Sequence, residues 1–306
     1  MVNPAWRRLA GVTAALGTAV IAAAFAEAHA FQLVRHTVRL PPGPPVRCRI
    51  LHLSDTHFRR GERAKAAFLA ALTDTKPDLV VFTGDTLADD PSLDEFLDAI
   101  SGLLALPGVF VRGSNDYFGP QWSNPLAYLR PGPRGHGTPR HRLNWHRLTD
   151  ALVDAGWHDL NNASARLTLP NLTIECRGTE DAHQDWDDYP QAIASTTQQD
   201  TPDLQLGVTH SPYRRVLTAM AEDGADLILA GHTHGGQICL PWHGAVVSNC
   251  DLPPSLAKGV FWWPTDAPDR VPVHVTAGVG ASPNFPFRLF CRPEACLLEV
   301  DRESVH

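Results

Sequence analysis

Oxygen and imidazole ligands recur in this chain directly after short apolar runs. The first run closes in LHLSDTH, supplying Asp55 and His57, and the second in VVFTGD, supplying Asp85. A third closes in VFVRGSND, giving Asn115 and Asp116. A fourth closes in LGVTH, giving His210, and a fifth in LILAGHTHGG, giving His232 and His234. A lone D-x-H or a single histidine after a strand arises by chance, but five such endings in succession form a pattern. Carboxylates, imidazoles and an amide without thiolate suit two divalent ions of the Mn, Fe, Zn or Ni type rather than Ca or Mg alone. Six or seven ligands exceed one structural zinc site and fit a pair of ions roughly 3.5–4 Å apart that share a carboxylate and a solvent oxygen. Such a pair can polarise substrate oxygens and spread developing charge. Gly84, Gly113, Gly231, Gly235 and Gly236 flank the ligands, where tight turns bring backbone close to metal or phosphate.

Strands must deliver these groups to a common rim. Residues 48–53, 79–82, 109–111, 204–208 and 227–229 are short and rich in Val, Ile or Leu, as strands buried on both faces read. Helical patterns at 65–75, 92–104, 145–155 and 214–222 lie between them, and 271–276 and 295–300 form a β-like tail. The order predicts an α/β protein, in which ligands bind outside the carboxyl ends of the strands.

The constellation resembles the calcineurin-like metallophosphoesterase superfamily, whose pattern runs D-x-H, G-D, G-N-H-D/E, H and G-H-x-H. The likeness extends from residue 49 to residue 300. The N-terminal apolar segment with the extended GHTHGGQI is similar to its bacterial membrane-associated branch, which includes enzymes hydrolysing UDP-2,3-diacylglucosamine or phosphodiesters. The resemblance implies a four-layer α/β/β/α sandwich preceded by an N-terminal hydrophobic helix. It also implies that Asp55, His57 and His234 hold a first metal, that Asp85 bridges, and that His210 and His232 hold a second. Manganese is the favoured ion, and a hydroxide between the two ions is the expected nucleophile.

One motif departs. Gly113-Ser114-Asn115-Asp116 stands where the family has Gly-Asn-His-Asp. Aligned without a gap, Ser114 replaces the second metal's amide ligand and Asn115 replaces the usual catalytic histidine. Shifted by one residue, the turn keeps Asn115 as metal ligand, the preferred reading because a serine hydroxyl is a poor substitute for an amide carbonyl. Either way the general acid is missing, a loss ordinarily worth ~10²–10⁴-fold in rate. His183, in RGTEDAHQDWDD, is the candidate replacement, against the simpler reading of a surface histidine in an acidic loop. Asp116 orients Asn115 or a nearby imidazole, or caps a helix.

The remaining residues set the context. In 306 residues a net charge of −7 argues against a general nucleic-acid binder. Two bound divalent ions would nonetheless make the site itself locally cationic. Residues 1–30 read as a hydrophobic anchor or signal segment, with Arg7 and Arg8 before the uncharged run 9–26 and Ala28-His29-Ala30 resembling a cleavage site. A membrane anchor with an external catalytic domain is favoured over a secreted or cytoplasmic protein. Residues 31–47, rich in proline at 41–45, read as a linker to a catalytic domain at 48–301. Within it, 117–149 carries five Arg, three His and no acidic residue, a basic insertion suited to anionic substrate or lipid headgroups. Trp262, Trp263 and Pro264 suggest an apolar wall or plain core packing. Six cysteines without a CxxC pair read mostly as buried thiols, although export would permit a Cys291–Cys296 bridge. A phosphate ester or diphosphate, lipid-linked or of the cell envelope, is the expected substrate. A metallopeptidase is disfavoured because no HExxH is present. A membrane-anchored metal-binding scaffold, silenced by the altered third motif, is the non-catalytic rival.

Overall fold

The computed structural model describes residues 4–120, 141–189 and 202–303. One six-stranded sheet contains β1 (Gln32–Arg39), β2 (Val46–Leu53), β3 (Leu79–Phe82), β4 (Gly108–Phe110), β5 (His158–Asp159) and β14 (Glu294–Arg302). Its strand order is β1-β14-β2-β3-β4-β5. The other contains β6 (Ser164–Leu169), β7 (Leu172–Gly178), β8 (Leu204–Thr209), β9 (Leu227–Ala230), β12 (Gly259–Trp263) and β13 (Val271–Val275). Its order is β12-β13-β9-β8-β7-β6, and β10 (Cys239–Leu240) pairs separately with β11 (Gly244–Ala245). The helices are α1 (Pro4–Glu27), α2 (Arg63–Ala71), α3 (Leu93–Ala99), α4 (Ser101–Leu104), α5 (Ser114–Tyr117), α6 (Trp145–Asp154) and α7 (Arg214–Glu222).

Strand parity builds the layers. In β2, Val46, Cys48 and Ile50 join a core that also holds Leu227 and Leu229 of β9, so the two sheets pack face to face. The alternate residues Leu51 and Leu53 pack outward with Leu69 of α2, Phe96 of α3, Leu103 of α4 and Leu148 and Leu152 of α6. On the far side, Ile228 and Ala230 of β9 meet Val216, Leu217 and Met220 of α7. The result is helix, sheet, sheet, helix. Each fully buried aliphatic side chain contributes roughly 1.5–3 kcal/mol, so strands apolar on both faces are held from both sides.

The ligand-bearing strands do not share one sheet. β2, β3 and β4 lie in the first and β8 and β9 in the second. Residues 32–39, read as part of a linker, instead form β1, which pairs in parallel with β14 over eight residue pairs. Its alternation of Val34, His36 and Val38 with Arg35, Thr37 and Arg39 gives the strand one face toward the core. The proline cluster that suggested a linker starts only after it.

The N-terminal expectation also changes. The last turn of α1 is tied down, with the Glu27 carboxylate accepting the amides of Phe290 (3.0 Å) and Cys291 (2.6 Å). Among the described residues no helix is long and apolar enough to cross a membrane. The transmembrane anchor is therefore unsupported, because eight of the eighteen residues at 9–26 are alanine, with little apolar surface each. Of the basic insertion, 121–140, with Arg130, Arg134, His136 and Arg140, lies outside the described residues; 145–149 begins α6. Cys291 and Cys296 are free thiols. Trp263 is buried against α7, donating from Nε1 to Thr218 Oγ1 at 3.1 Å, which is core packing.

Candidate metal centre

Each ligand sits in a turn just beyond a strand, and the turns are conformationally unusual. Asp55 (φ 50°), His57 (φ 38°), Asp85 (φ 54°), His232 (φ 68°) and His234 (φ 51°) all occupy the left-handed region. Side chains beyond glycine enter it seldom, at a cost of roughly 1–3 kcal/mol each, and such residues concentrate where a site dictates geometry. Two glycines let the turns approach. A Cβ on Gly84 (φ 86°) would lie 2.4 Å from the Gly113 nitrogen. A Cβ on Gly113 would lie 2.2 Å from Asp85 Oδ1 and 2.6 Å from His210 Nε2.

The folded chain gathers the side chains into two adjoining groups. Asp55, His57 and His234 offer ligand atoms all within 4.8 Å of one another, and so do Asp55, Asp85 and His210. His57 Nε2 and His234 Nε2 face each other at 3.3 Å, and His234 Nε2 lies 3.5 Å from Asp55 Oδ1. Asp85 Oδ2 lies 3.6 Å from both His57 Nε2 and His210 Nε2, between the two groups. His232 stands at the edge of the second group. Its amide donates to Asp55 Oδ2 (2.9 Å), its Nε2–H donates to the Asn249 carbonyl (3.1 Å), and its ring lies 5.2 Å from that of His210.

The donor set fits metal ions. Asp55 Oδ1 and His210 Nε2 are buried without a hydrogen-bond partner, although such atoms are normally satisfied. Burial, with neighbouring cationic groups, holds His57, His232 and His234 well below the ordinary imidazole range, so their lone pairs are available. His210 Nδ1–H donates to the Thr83 carbonyl (2.6 Å), which turns Nε2 inward toward Asp85.

Burial alone would lower His210, but Asp85, Asp181 and Asp55 raise it to about 9. In the metal-free protein His210 is thus protonated below that pH, and a metal must displace this proton. The apparent affinity for the ion beside His210 should therefore rise about tenfold per pH unit between pH 7 and 9 and level off above, as expected for one proton released from that ring. Metal titrations by calorimetry in buffers of different ionisation enthalpy would check this. A pH-independent affinity with no proton release would contradict it.

The third motif resolves into distinct placements. Asn115 donates to Asp85 with both its amide (2.9 Å) and its side-chain Nδ2 (2.6 Å), so it lies on the carboxylate between the two groups. Ser114 is placed by its amide, which donates to Asp181 Oδ2 at 2.9 Å. Asp116 caps α5. Its Oδ2 accepts the amides of Gly113 (2.9 Å) and Asp85 (2.8 Å), and its Oδ1 that of Thr86 (2.7 Å). The carboxylate thus clamps the turns of Asp85 and Gly113 together. His183 sits beside the second group, with its ring 4.6 Å from His232 and its Nδ1 bonded to the Tyr213 hydroxyl at 2.9 Å.

Two residues at the site were not singled out in the sequence. Asp181 is fully buried, and its Oδ1 accepts from Ser211 Oγ (2.5 Å) and the His183 amide (2.9 Å). Burial pushes its carboxyl up, but His210, His232 and His183 outweigh that and bring it below the usual range. Its only signal was proximity to His183 in an acidic stretch. Arg288, also fully buried, donates to the carbonyls of His234 (3.2 Å), Ala277 (2.6 Å) and Gly280 (2.5 Å). It braces the His234 turn from behind, and no local motif announces it.

The pattern that defines calcineurin-like phosphoesterases matches residues 48–236. Phosphodiesterase YaeI of Escherichia coli is 28% identical over 88% of this chain and 88% of its own length. The uncharacterized metallophosphoesterase YkuE of Bacillus subtilis is 26% identical over 89% of this chain and 86% of its own. Among solved structures, TT1561 of Thermus thermophilus aligns over 76% of this chain and 90% of its own, with 13% identity and a TM-score of 0.44.

Proposed function

The chain belongs to the calcineurin-like phosphoesterase family, hydrolases of phosphoester bonds, and we propose that it cleaves a phosphodiester or diphosphate with two divalent ions, manganese preferred. The observation that carries this reading is the pair of ligand groups that share Asp55 and adjoin across Asp85. Asp55, His57 and His234 would hold one ion, Asp85 would bridge, and Asn115, His210 and His232 would hold the other. When bound, such ions supply Lewis acidity toward phosphoryl oxygens and lower the pKa of water.

The chain's own residues do the rest. Asp116 keeps the turns of Asp85 and Gly113 in register, and Asn115 holds the Asp85 carboxylate. As the attacking water oxygen bonds to phosphorus, the bond to the leaving oxygen breaks and that oxygen needs a proton. His183, held by its hydrogen bond to the Tyr213 hydroxyl, would give it. Replacing His183 with Asn should then lower kcat for an alkyl ester by ~10²–10⁴-fold, the usual worth of a general acid. Bis-p-nitrophenyl phosphate should be turned over almost unchanged, because nitrophenolate leaves without protonation. Equal effects on both esters, or none on either, would remove His183 from the mechanism.

The non-reacting part of the substrate has a place to lie. A cavity of ≈ 570 Å³ adjoins α5, walled by Tyr117, Phe118, Trp145 and Trp186 with Arg112, Arg142 and Glu180. Its aromatic walls suit a phosphate ester with a large apolar or planar substituent. Exposed Leu16, Val20, Ile21 and Phe25 on α1 favour a lipid-linked or cell-envelope substrate within that class.

The altered third motif favours one rival, a metal-binding scaffold with weakened catalysis. The manganese-loaded full chain, assayed on bis-p-nitrophenyl phosphate and on UDP-linked diphosphates, separates the two. Metal-dependent turnover of either supports the phosphoesterase. Two bound ions without hydrolysis of any ester would leave the scaffold.

A further inference from the structure

A second cluster of ligating atoms lies between the two sheets, built from strands that contribute nothing to the centre above except β2. The inter-sheet layer is otherwise apolar, filled by residues such as Val34, Val38, Ile50, Leu298 and Val300. His36 shares strand parity with Val34 and Val38, and His52 shares it with Ile50. Cys296 lies in the same layer and is the register partner of both Val34 on β1 and His52 on β2. From the opposite sheet comes His274, flanked by Val273 and Val275, which face the α7 side. His52 and His274 are fully buried, and His36, on the edge strand β1, is half-buried.

One set of tautomers uses every hydrogen bond in this cluster. Thr83 Oγ1 donates to the Leu53 carbonyl (3.4 Å) and so accepts from His52 Nε2–H (2.9 Å). His52 Nδ1 is then a lone pair, accepting from His274 Nδ1–H at 2.8 Å. That leaves His274 Nε2 as a bare lone pair in the core, with no partner. Burial keeps both rings neutral, pushing His52 down to about 3 and His274 well below its ordinary value. A buried acceptor without a donor calls for an occupant.

We propose that His36, His274 Nε2 and Cys296 form a third metal site, selective for zinc, that staples β1 and β14 of one sheet to β13 of the other. One ring nitrogen of His36, one of His274 and Cys296 Sγ already lie within 4.8 Å of one another, and the rings of His36 and His274 are 5.1 Å apart. Zinc bonds of roughly 2.0–2.3 Å require these atoms to close in by about an ångström, a movement an edge strand can make. Two imidazoles and a thiolate are softer than the oxygen and nitrogen donors of the main centre, none of which is sulfur, and this favours zinc here. His52 behind His274 orients the ligating ring. On binding, the Cys296 thiol, which burial keeps protonated, gives its proton to solvent and its sulfur to the ion. A fourth position is left for water.

The test uses the full chain with cobalt(II) as probe, because the main centre has no sulfur ligand. Wild-type protein should bind three equivalents and show a thiolate-to-cobalt charge-transfer band in the near ultraviolet. Cys296→Ser should abolish the band and lose one equivalent. His36→Gln, at the half-exposed edge, should also lose one equivalent, and it decides the matter if Cys296→Ser does not fold. Absence of the band in wild type, or metal content unchanged by both substitutions, overturns the proposal. Failure of the phosphoesterase reading would look different: no ester turnover, with the band and its cysteine dependence intact.

Discussion

Gly113→Ala is expected to abolish metal-dependent hydrolysis while the chain still folds. The Gly113 backbone (φ −104°, ψ 171°) is extended, a conformation alanine adopts freely, so no backbone strain enters. The added methyl group is the whole effect. It would sit 2.2 Å from Asp85 Oδ1 and 2.6 Å from His210 Nε2, against ordinary carbon contacts of 3.4–4 Å. The two ligands must retreat by about an ångström, and misplacement of that size costs ~10²-fold or more in rate. Overpacking a buried position adds about 1–3 kcal/mol of destabilisation, small enough to leave a folded protein. Circular dichroism, metal content and turnover on bis-p-nitrophenyl phosphate would be measured together. Wild-type turnover with two ions bound would show that the space beside Gly113 is not where chemistry occurs.

Asp85→Asn should be comparably severe for a different reason. The carboxylate lies 3.6 Å from both His57 Nε2 and His210 Nε2, and its two oxygens accept both amide donors of Asn115. An amide of the same size has one donor end, which must confront either Asn115 or an imidazole. It also removes the charge that any bridging ligand supplies. Loss of a single electrostatic contact to a transition state ordinarily costs ~10²–10³-fold, and a residue serving both halves of the centre should exceed that. A second signature accompanies it. Asp85 is foremost among the carboxylates that raise His210, so the His210 titration in the metal-free variant should move down from about 9. NMR titration of that ring, with metal stoichiometry, checks both. An active Asp85→Asn enzyme would falsify the assignment of Asp85 as bridge.

Much of the fold was legible because its strands are short and apolar on both faces. Residues 79–82 and 204–208 were read as strands, and β3 and β8 cover them. The helical pattern at 214–222 coincides with α7, whose apolar residues Val216, Leu217 and Met220 fall on one face. β1 was missed because a neighbouring proline cluster outweighed a weak alternation, and it is a non-local partner, β14, that makes the strand. A similar failure of local signal explains Arg288 and Asp181. Neither stands in a ligand pattern, and each is functional only through what the fold brings against it.

The sequence by itself determined the chemistry available: which side chains end each strand, and that together they have the donor types of metal ligands rather than of nucleophiles. Ligand type and spacing are local properties, set by residues that adjoin in the chain. Only the tertiary structure decided how those endings meet. Asp55 and Asp85 come from one sheet and His210, His232 and His234 from another, and the shared apolar layer between the sheets sets their strand ends together. His57 and His234 are 177 positions apart, yet their Nε2 atoms are separated by 3.3 Å. The same layer turns His36, His274 and Cys296 toward one point. Burial of both faces of a strand can be read from one segment; the partner across the layer cannot, because that depends on every strand packing at once.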